Sequence, residues 1–292
     1  MQPVEPDAKL RAEGAAIFAQ PDVVASYYAR QPYAPDAYAA LLRLVPARRR
    51  ALDLGCGPGP VARRLAEAFD EVVALDPSEG MIAAGRAADR GAHPNIRWVC
   101  ARAEEFDDEA GFDIVVAGSS VHFVDPAAAF PKLARWTHLM ATLANDPLFP
   151  HPPPPCGIDR WVDFLGRWNA RVGRTTPAGW LGPPDRVKAP AMPHESWVDV
   201  AGRKRFRFGF RQSVPDFIAS CHARVSWPRR TMGERLAAEF DADLAELLDP
   251  FAQSGALTLD VITDLVWGAP RTAPRGGAPP TRPSFPPNVR PE

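Results

Sequence analysis

Lysine is nearly missing from this chain: four lysines stand against thirty arginines in 292 residues, and the formal net charge is −1. A charge so close to zero creates no long-range field, so neither nucleic acid nor an anionic membrane surface is an expected partner. Cysteine is also scarce. Cys56, Cys100, Cys156 and Cys221 lie far apart, which excludes a disulfide framework and any paired-cysteine metal site. No apolar run approaches the roughly twenty residues that span a bilayer. Residues 1–11 are polar and mixed in charge, unlike a secretory signal. A soluble, cytoplasmic protein with reduced thiols and no metal is the expectation.

What is present is ample material for a core. Hydrophobic residues make up 46% of the chain, too many for wholesale disorder. Residues 1–45 read as an N-terminal helical lid, with Ala15, Ile17 and Phe18, then Tyr38, Leu41 and Val45, at helical spacing. From 46 to 146 short apolar strands at 51–54, 72–75, 96–100, 113–117 and 139–143 alternate with helical segments. That alternation predicts a parallel sheet covered on both faces.

Residues 147–200 are rich in proline and tryptophan and read as a cap inserted after the fifth strand, with one amphipathic helix through Trp161, Leu165, Trp168 and Val172. For Trp161 and Trp168 the core of that cap is the expected place, with Trp180 and Trp197 left to face a planar substrate. Residues 201–268 complete the core. Phe206, Phe208 and Phe210 alternate with Arg205, Arg207 and Arg211 as a strand with one buried face. Thr231-x-x-Glu234 reads as a capping box opening a helix through Leu236, Phe240, Leu244 and Leu248, and 257–267 as a last strand. Residues 269–292, rich in proline and arginine, read as a disordered tail.

The chemistry concentrates in Asp53-Leu-Gly-Cys-Gly-Pro-Gly59, between a strand and a helix, followed by Asp76 at the end of the next strand. Glycines let the backbone turn tightly and approach a ligand where any Cβ would collide. Asp76 lies 21 residues after Gly55, the offset of a carboxylate that binds a ribose. A dinucleotide fingerprint is the rival reading. It places its third glycine where this chain has Pro60, so a nucleoside without phosphates suits the loop better.

Leu52-Asp-Leu-Gly-Cys-Gly-Pro-Gly59 resembles the first motif of class I S-adenosylmethionine-dependent methyltransferases, in their small-molecule, type-11-like branch. Leu75-Asp-Pro-Ser-x-x-Met81-Ile resembles the second motif, Ala103-Glu104 the adenine-side motif, and Phe112-Asp-Ile-Val the fourth-strand motif. The resemblance implies a Rossmann-like, doubly wound α/β fold with a seven-stranded, mostly parallel sheet, and S-adenosyl-L-methionine as cofactor. It implies Gly55, Gly57 and Gly59, with Asp53, beside the methionine part, Asp76 on both ribose hydroxyls, and Met81 on the adenine face. Ala103, Glu104 and Ala117 would complete the cofactor site, and Tyr28-Ala-Arg30 resembles the covering segment.

The implied reaction is methylation of a small organic molecule at O, N or carboxylate. A cofactor-binding protein without turnover and an RNA or protein methyltransferase are the alternatives. His122, just past the fourth strand, is the candidate general base, against the alternative that it packs on the next helix. His151 is a weaker second. One departure stands out: Leu133-Ala-Arg-Trp-Thr-His138 runs almost directly into the fifth strand, where the family usually carries a glycine-rich turn.

Overall fold

Five short apolar strands pair in parallel at the centre of the computed structural model, which describes residues 14–145, 155–173, 193–224 and 227–275. They are β1 (Arg50–Leu54), β2 (Glu71–Asp76), β3 (Ile96–Cys100), β4 (Ile114–Gly118) and β5 (Met140–Asn145). Two longer strands extend the sheet: β7 (Ala256–Pro270) pairs antiparallel with β5, and β6 (Val198–Ser213) pairs antiparallel with β7 at the edge. The order is β3-β2-β1-β4-β5-β7-β6. This is the doubly wound, mostly parallel sheet that the alternating pattern predicts. Its order reverses between β1 and β4, and in such sheets the crevice outside the carboxyl ends at that point holds the ligand.

Strand residues alternate between two apolar layers. Ala51, Val72, Ala74 and Val116 meet Leu41 of α2 (Pro35–Arg43) and Leu65 of α3 (Pro60–Ala66). Leu52, Leu54, Val73 and Val115 meet Phe130, Leu133 and Trp136 of α5 (Pro126–Trp136). Burial on both faces is why these strands read as continuous apolar runs. Helix α1 (Pro21–Ser26) follows a helical segment at 14–18 in the lid, and α4 (Glu79–Asp89) joins β2 to β3. Where the family's glycine turn is missing, Thr137 closes the connection itself. Its hydroxyl donates to Leu139 O at 3.0 Å and accepts from Leu139 N at 3.1 Å, so β5 starts three residues after α5.

A third core lies beyond β5. Trp161, Phe164, Leu165 and Trp168 of α6 (Ile158–Arg171) pack with Phe217 of α7 (Val214–His222), Phe240 and Leu244 of α9 (Glu234–Leu248), and Leu257 of β7. Phe240 is its hub, with ring centroids 5.4 Å from Phe164, 5.2 Å from Trp168 and 5.5 Å from Trp227. Trp161 and Trp168 are fully enclosed, as expected of a packing role. Trp197 instead packs 5.7 Å from Phe130, on the main sheet.

Three expectations are corrected. Thr231 does not cap α9: it lies inside a short separate helix, α8 (Arg229–Met232), and Gly233, at φ 79°, opens α9 without a side-chain cap. Helix α7 follows β6 directly, with no loop to mark its start. Its signal is Ser213-x-x-Asp216, in which Ser213 Oγ accepts from Asp216 N at 3.1 Å. The boundaries at 200 and 268 also shift. Strand β6 starts at Val198 and β7 runs to Pro270, after which Arg271 and Arg275 pair with Asp199 at 2.6 and 2.8 Å. The chain is therefore built into the sheet edge past Gly268. His151, Trp180 and the tail from 276 lie outside the described residues.

Candidate active site

The glycine loop is bent by necessity. Gly55, Gly57 and Gly59 have φ of 67°, 54° and 77°, a region that side-chain-bearing residues rarely enter. The bend turns the loop's donors inward. Gly55 N and Cys56 N both donate to Leu75 O at 2.8 and 2.9 Å, Gly57 N to Asp76 Oδ2 at 2.8 Å, and Gly59 N to Cys56 O at 3.0 Å. Pro58 and Pro60 have no N–H. From Gly55 to Pro60 every backbone N–H is thus engaged or absent, whereas a pyrophosphate requires donors aimed outward. The loop fits a ligand without phosphates on hydrogen bonding as well as on spacing.

The three glycines do different work. A Cβ at Gly57 would lie 3.3 Å from the Tyr27 ring on the cleft side, and one at Gly55 only 2.5 Å from Ser120 Cβ. A Cβ at Gly59 would strike the Trp98 indole, which also occupies the space beside Gly85. Gly59 therefore serves helix–strand packing and stands off the cleft wall, contrary to the motif-based expectation.

Asp76 closes β2 on the cleft wall. Its Oδ2 accepts from Gly57 N and its Oδ1 from Ser78 N at 2.9 Å, which leaves further lone pairs on both oxygens for a diol. Burial raises its pKa, while the Ser78 and Gly57 N–H groups oppose the rise. Asp53 lies beneath the loop, 1% exposed, and neither carboxylate oxygen has a partner of ordinary hydrogen-bond geometry. Burial pushes its pKa from 3.8 up to about 8, the Ala62 N–H offsetting only part of this, and the charge of Asp76 adds to the rise.

Because the folded value lies above the unfolded one, Asp53 favours the fold when protonated. Stability is expected to fall as pH rises from about 4 to about 8 and to level above. Asp53→Asn, neutral throughout, should flatten that slope and be the more stable protein at the alkaline end. Urea midpoints across this range check it; parallel slopes in both proteins would mean that the Asp53 carboxylate is hydrated and ionised.

The cleft, about 960 Å³ counted out to its open mouth, is walled by Leu54, Gly55, Gly57, Asp76 and Met81 at the loop. Ala103 and Glu104 follow β3, Gly118 ends β4, and Ser119 and Ser120 follow it. Phe18 of the lid closes the mouth edge-on against Phe123 at 5.4 Å and Tyr27 at 6.3 Å. Met81 is buried in the cleft wall. Glu104 is largely spent on structure, since its Oε1 accepts from Asp125 N at 2.7 Å and its backbone O accepts from Lys132 Nζ at 2.7 Å. Its backbone and that of Ala103 are what the wall offers there.

Tyr28 and Ala117 stand elsewhere than their motifs suggest. Tyr28 is 48% exposed and donates to Ala84 O at 3.0 Å, away from the cleft; Tyr27 takes the wall position. The helical turn after α1 rotates one tyrosine in and its neighbour out, which linear spacing cannot distinguish. Arg30 does reach the wall, its guanidinium 4.8 Å over the Tyr27 ring. Ala117 faces α5 within the core, and Gly118 is the first residue of β4 on the wall.

His122 lies in a helical turn, half-buried, with its ring 4.1 Å from Phe123; Phe123 and Val124 line the cleft and His122 does not. His122→Ala is accordingly expected to leave kcat within about threefold, whereas loss of a general base costs about 10²–10⁴-fold. Steady-state rates with one authentic substrate decide between the two. Among the described residues, no cluster of His, Cys, Asp and Glu suits a metal, and no helix is long and apolar enough to cross a membrane.

Known proteins agree with this geometry. A family described as a methyltransferase domain matches residues 51–139, β1 to the start of β5. A trans-aconitate 2-methyltransferase of Methylobacterium radiotolerans is 30% identical over 66% of this chain and 72% of its own length. An uncharacterized methyltransferase of Mycobacterium tuberculosis is 40% identical over 36% of this chain, which spans 42% of that relative's length. A solved type II methyltransferase structure from Anaeromyxobacter dehalogenans superposes with a TM-score of 0.57 at 23% identity, over 84% of this chain and 99% of that one, and so supports the fold. With an inward-bonded glycine loop, an aspartate that closes β2 on the cleft wall, this sheet order and the relatives above, the chain belongs to the class I S-adenosylmethionine-dependent methyltransferases.

Proposed function

We propose that this protein methylates a small organic molecule at an oxygen, nitrogen or carboxylate, with S-adenosylmethionine as donor. The observation that carries the reading is the pairing of Asp76 with the inward-bonded loop: a carboxylate with free lone pairs, beside a backbone that has no donors left for phosphate. In that reading Asp76 holds the ribose hydroxyls, Gly55 and Gly57 run beside the methionyl part, and Met81, Ala103 and the Glu104 backbone take the adenine. Tyr27 and Arg30 cover the site, and Asp53 lies buried beneath the loop. The bound cofactor brings a methyl group on a positively charged sulfur. The protein's part is to align an acceptor with it and exclude water.

The arginines of β6 support a small-molecule acceptor over a nucleic acid, because three of them are paired with carboxylates and Arg211 donates to Gln253 O at 3.1 Å. Arg203 meets Glu195, Arg205 meets Asp264 at 2.7 Å, and Arg207 meets Asp260 at 3.7 Å. The methyl acceptor of the Methylobacterium relative named above is likewise a small molecule.

The test is incubation with S-adenosylmethionine and a metabolite extract freed of macromolecules. Extract-dependent accumulation of S-adenosylhomocysteine is expected. Cofactor binding with no accumulation would make the protein a binder that does not methylate small molecules.

A further inference from the structure

Ser119 ends the β4 crossing on the cleft wall with φ of 53°, a left-handed conformation that a serine seldom adopts. Such strain persists where the surroundings over-determine it, and it clusters at ligand sites. Here the surroundings are explicit. Ser119 N donates to Leu143 O at 2.8 Å, and Ser119 Oγ accepts from the Tyr33 hydroxyl at 3.1 Å. The Tyr33 hydroxyl lies over Gly118, where even a Cβ would come within 3.1 Å of it, and its ring meets Tyr38 edge-on at 6.4 Å. Burial pushes the Tyr33 phenol up to about 12, so it remains an O–H donor at neutral pH.

A serine hydroxyl has one hydrogen and two lone pairs. Tyr33 occupies a lone pair. Among the described residues the hydrogen's partner is Leu143 O at 3.5 Å, the outer limit of a hydrogen bond. Ser119 lines the cleft, and so long a bond to Leu143 O leaves its O–H able to turn to a ligand there. Arg30 adds a positive charge to the same wall, stacked on Tyr27 and without an ion pair among the described residues.

Resting on the methyltransferase reading, we propose that Tyr33 and Ser119 form a donor site that positions the methyl-accepting oxygen, and that this acceptor is a carboxylate. A carboxylate takes a charge-assisted hydrogen bond from Ser119, complements Arg30, and has no proton to lose before it acts as nucleophile. An alcohol would bring its own O–H to a site already furnished with donors, and would need a base. Ser119 touches the substrate; Tyr33 is a positioning residue that acts through Ser119.

The experiment is calorimetry on the full chain saturated with S-adenosylhomocysteine, with benzoate, tricarballylate and the matching amides as probes. At least one acid should bind, with its amide about tenfold weaker or worse, as loss of a charge-assisted bond requires. Ser119→Gly, which suits the backbone angle and removes only the hydroxymethyl group, should weaken the acid by about tenfold, and Tyr33→Phe by severalfold, with S-adenosylhomocysteine affinity level in both. With methyl-labelled cofactor and a metabolite extract, alkali should release the product's label as methanol, as from an ester. Amides that bind as well as acids, acids indifferent to both substitutions, no acid binding, or alkali-stable label would each overturn the carboxylate site. Failure to bind S-adenosylhomocysteine at all would instead strike the methyltransferase reading beneath it.

Discussion

Asp76→Ala should lower the affinity for S-adenosylmethionine by about 10²–10⁴-fold, because two charge-assisted hydrogen bonds at roughly 1.5–3 kcal/mol each are lost together. The carboxylate already accepts Gly57 N and Ser78 N, so the deletion also leaves two backbone donors without their partner. Asp76→Asn separates these effects. It keeps the size and one acceptor oxygen while removing the charge, and should fall between wild type and alanine. Calorimetry, with a thermal melt of each variant to confirm folding, reads the result. Unchanged affinity in a folded Asp76→Ala would remove the ribose assignment.

Two neighbouring glycines should fail in opposite ways. At Gly57 a Cβ points toward the Tyr27 ring at 3.3 Å, so the branches of Gly57→Val enter the space between loop and lid. The expected outcome is a folded protein with no measurable cofactor binding. Gly59→Val instead drives a branched side chain into Trp98, from a backbone angle of 77°. Overpacking and left-handed strain together should cost about 2–5 kcal/mol, enough to lower the melting temperature by several degrees or to prevent folding. Chemical denaturation of both variants, with binding measured wherever a native baseline survives, is the check. A stable Gly59→Val that merely loses cofactor would return Gly59 to the cleft wall.

The sheet was legible in the residues because a strand buried on both faces must be apolar throughout. Val72-Val-Ala-Leu and Ile114-Val-Val-Ala state this without ambiguity, and Ala51-Leu-Asp-Leu departs from it only at Asp53. The loop and Asp76 were legible because glycine at positive φ and a carboxylate at a strand end are local requirements of the backbone. Helix α7 was not, since no loop separates it from the strand before it. Thr231 misled because a capping box is only a spacing, and the chain had already entered α8 at that point.

What the sequence by itself determined about this protein is the order of strands and helices, the tight glycine turn and the aspartate that closes β2, all set by interactions within a few residues or by one dominant periodicity. What only the tertiary structure decided is which side chains meet across the cleft. A helical turn chose Tyr27 over Tyr28. A tryptophan from β3 claimed the space at Gly59, and a tyrosine 86 positions away oriented Ser119. These choices depend on contacts between segments distant in the chain. A side chain's direction there is fixed by what already fills the space beside it, and no local pattern records that.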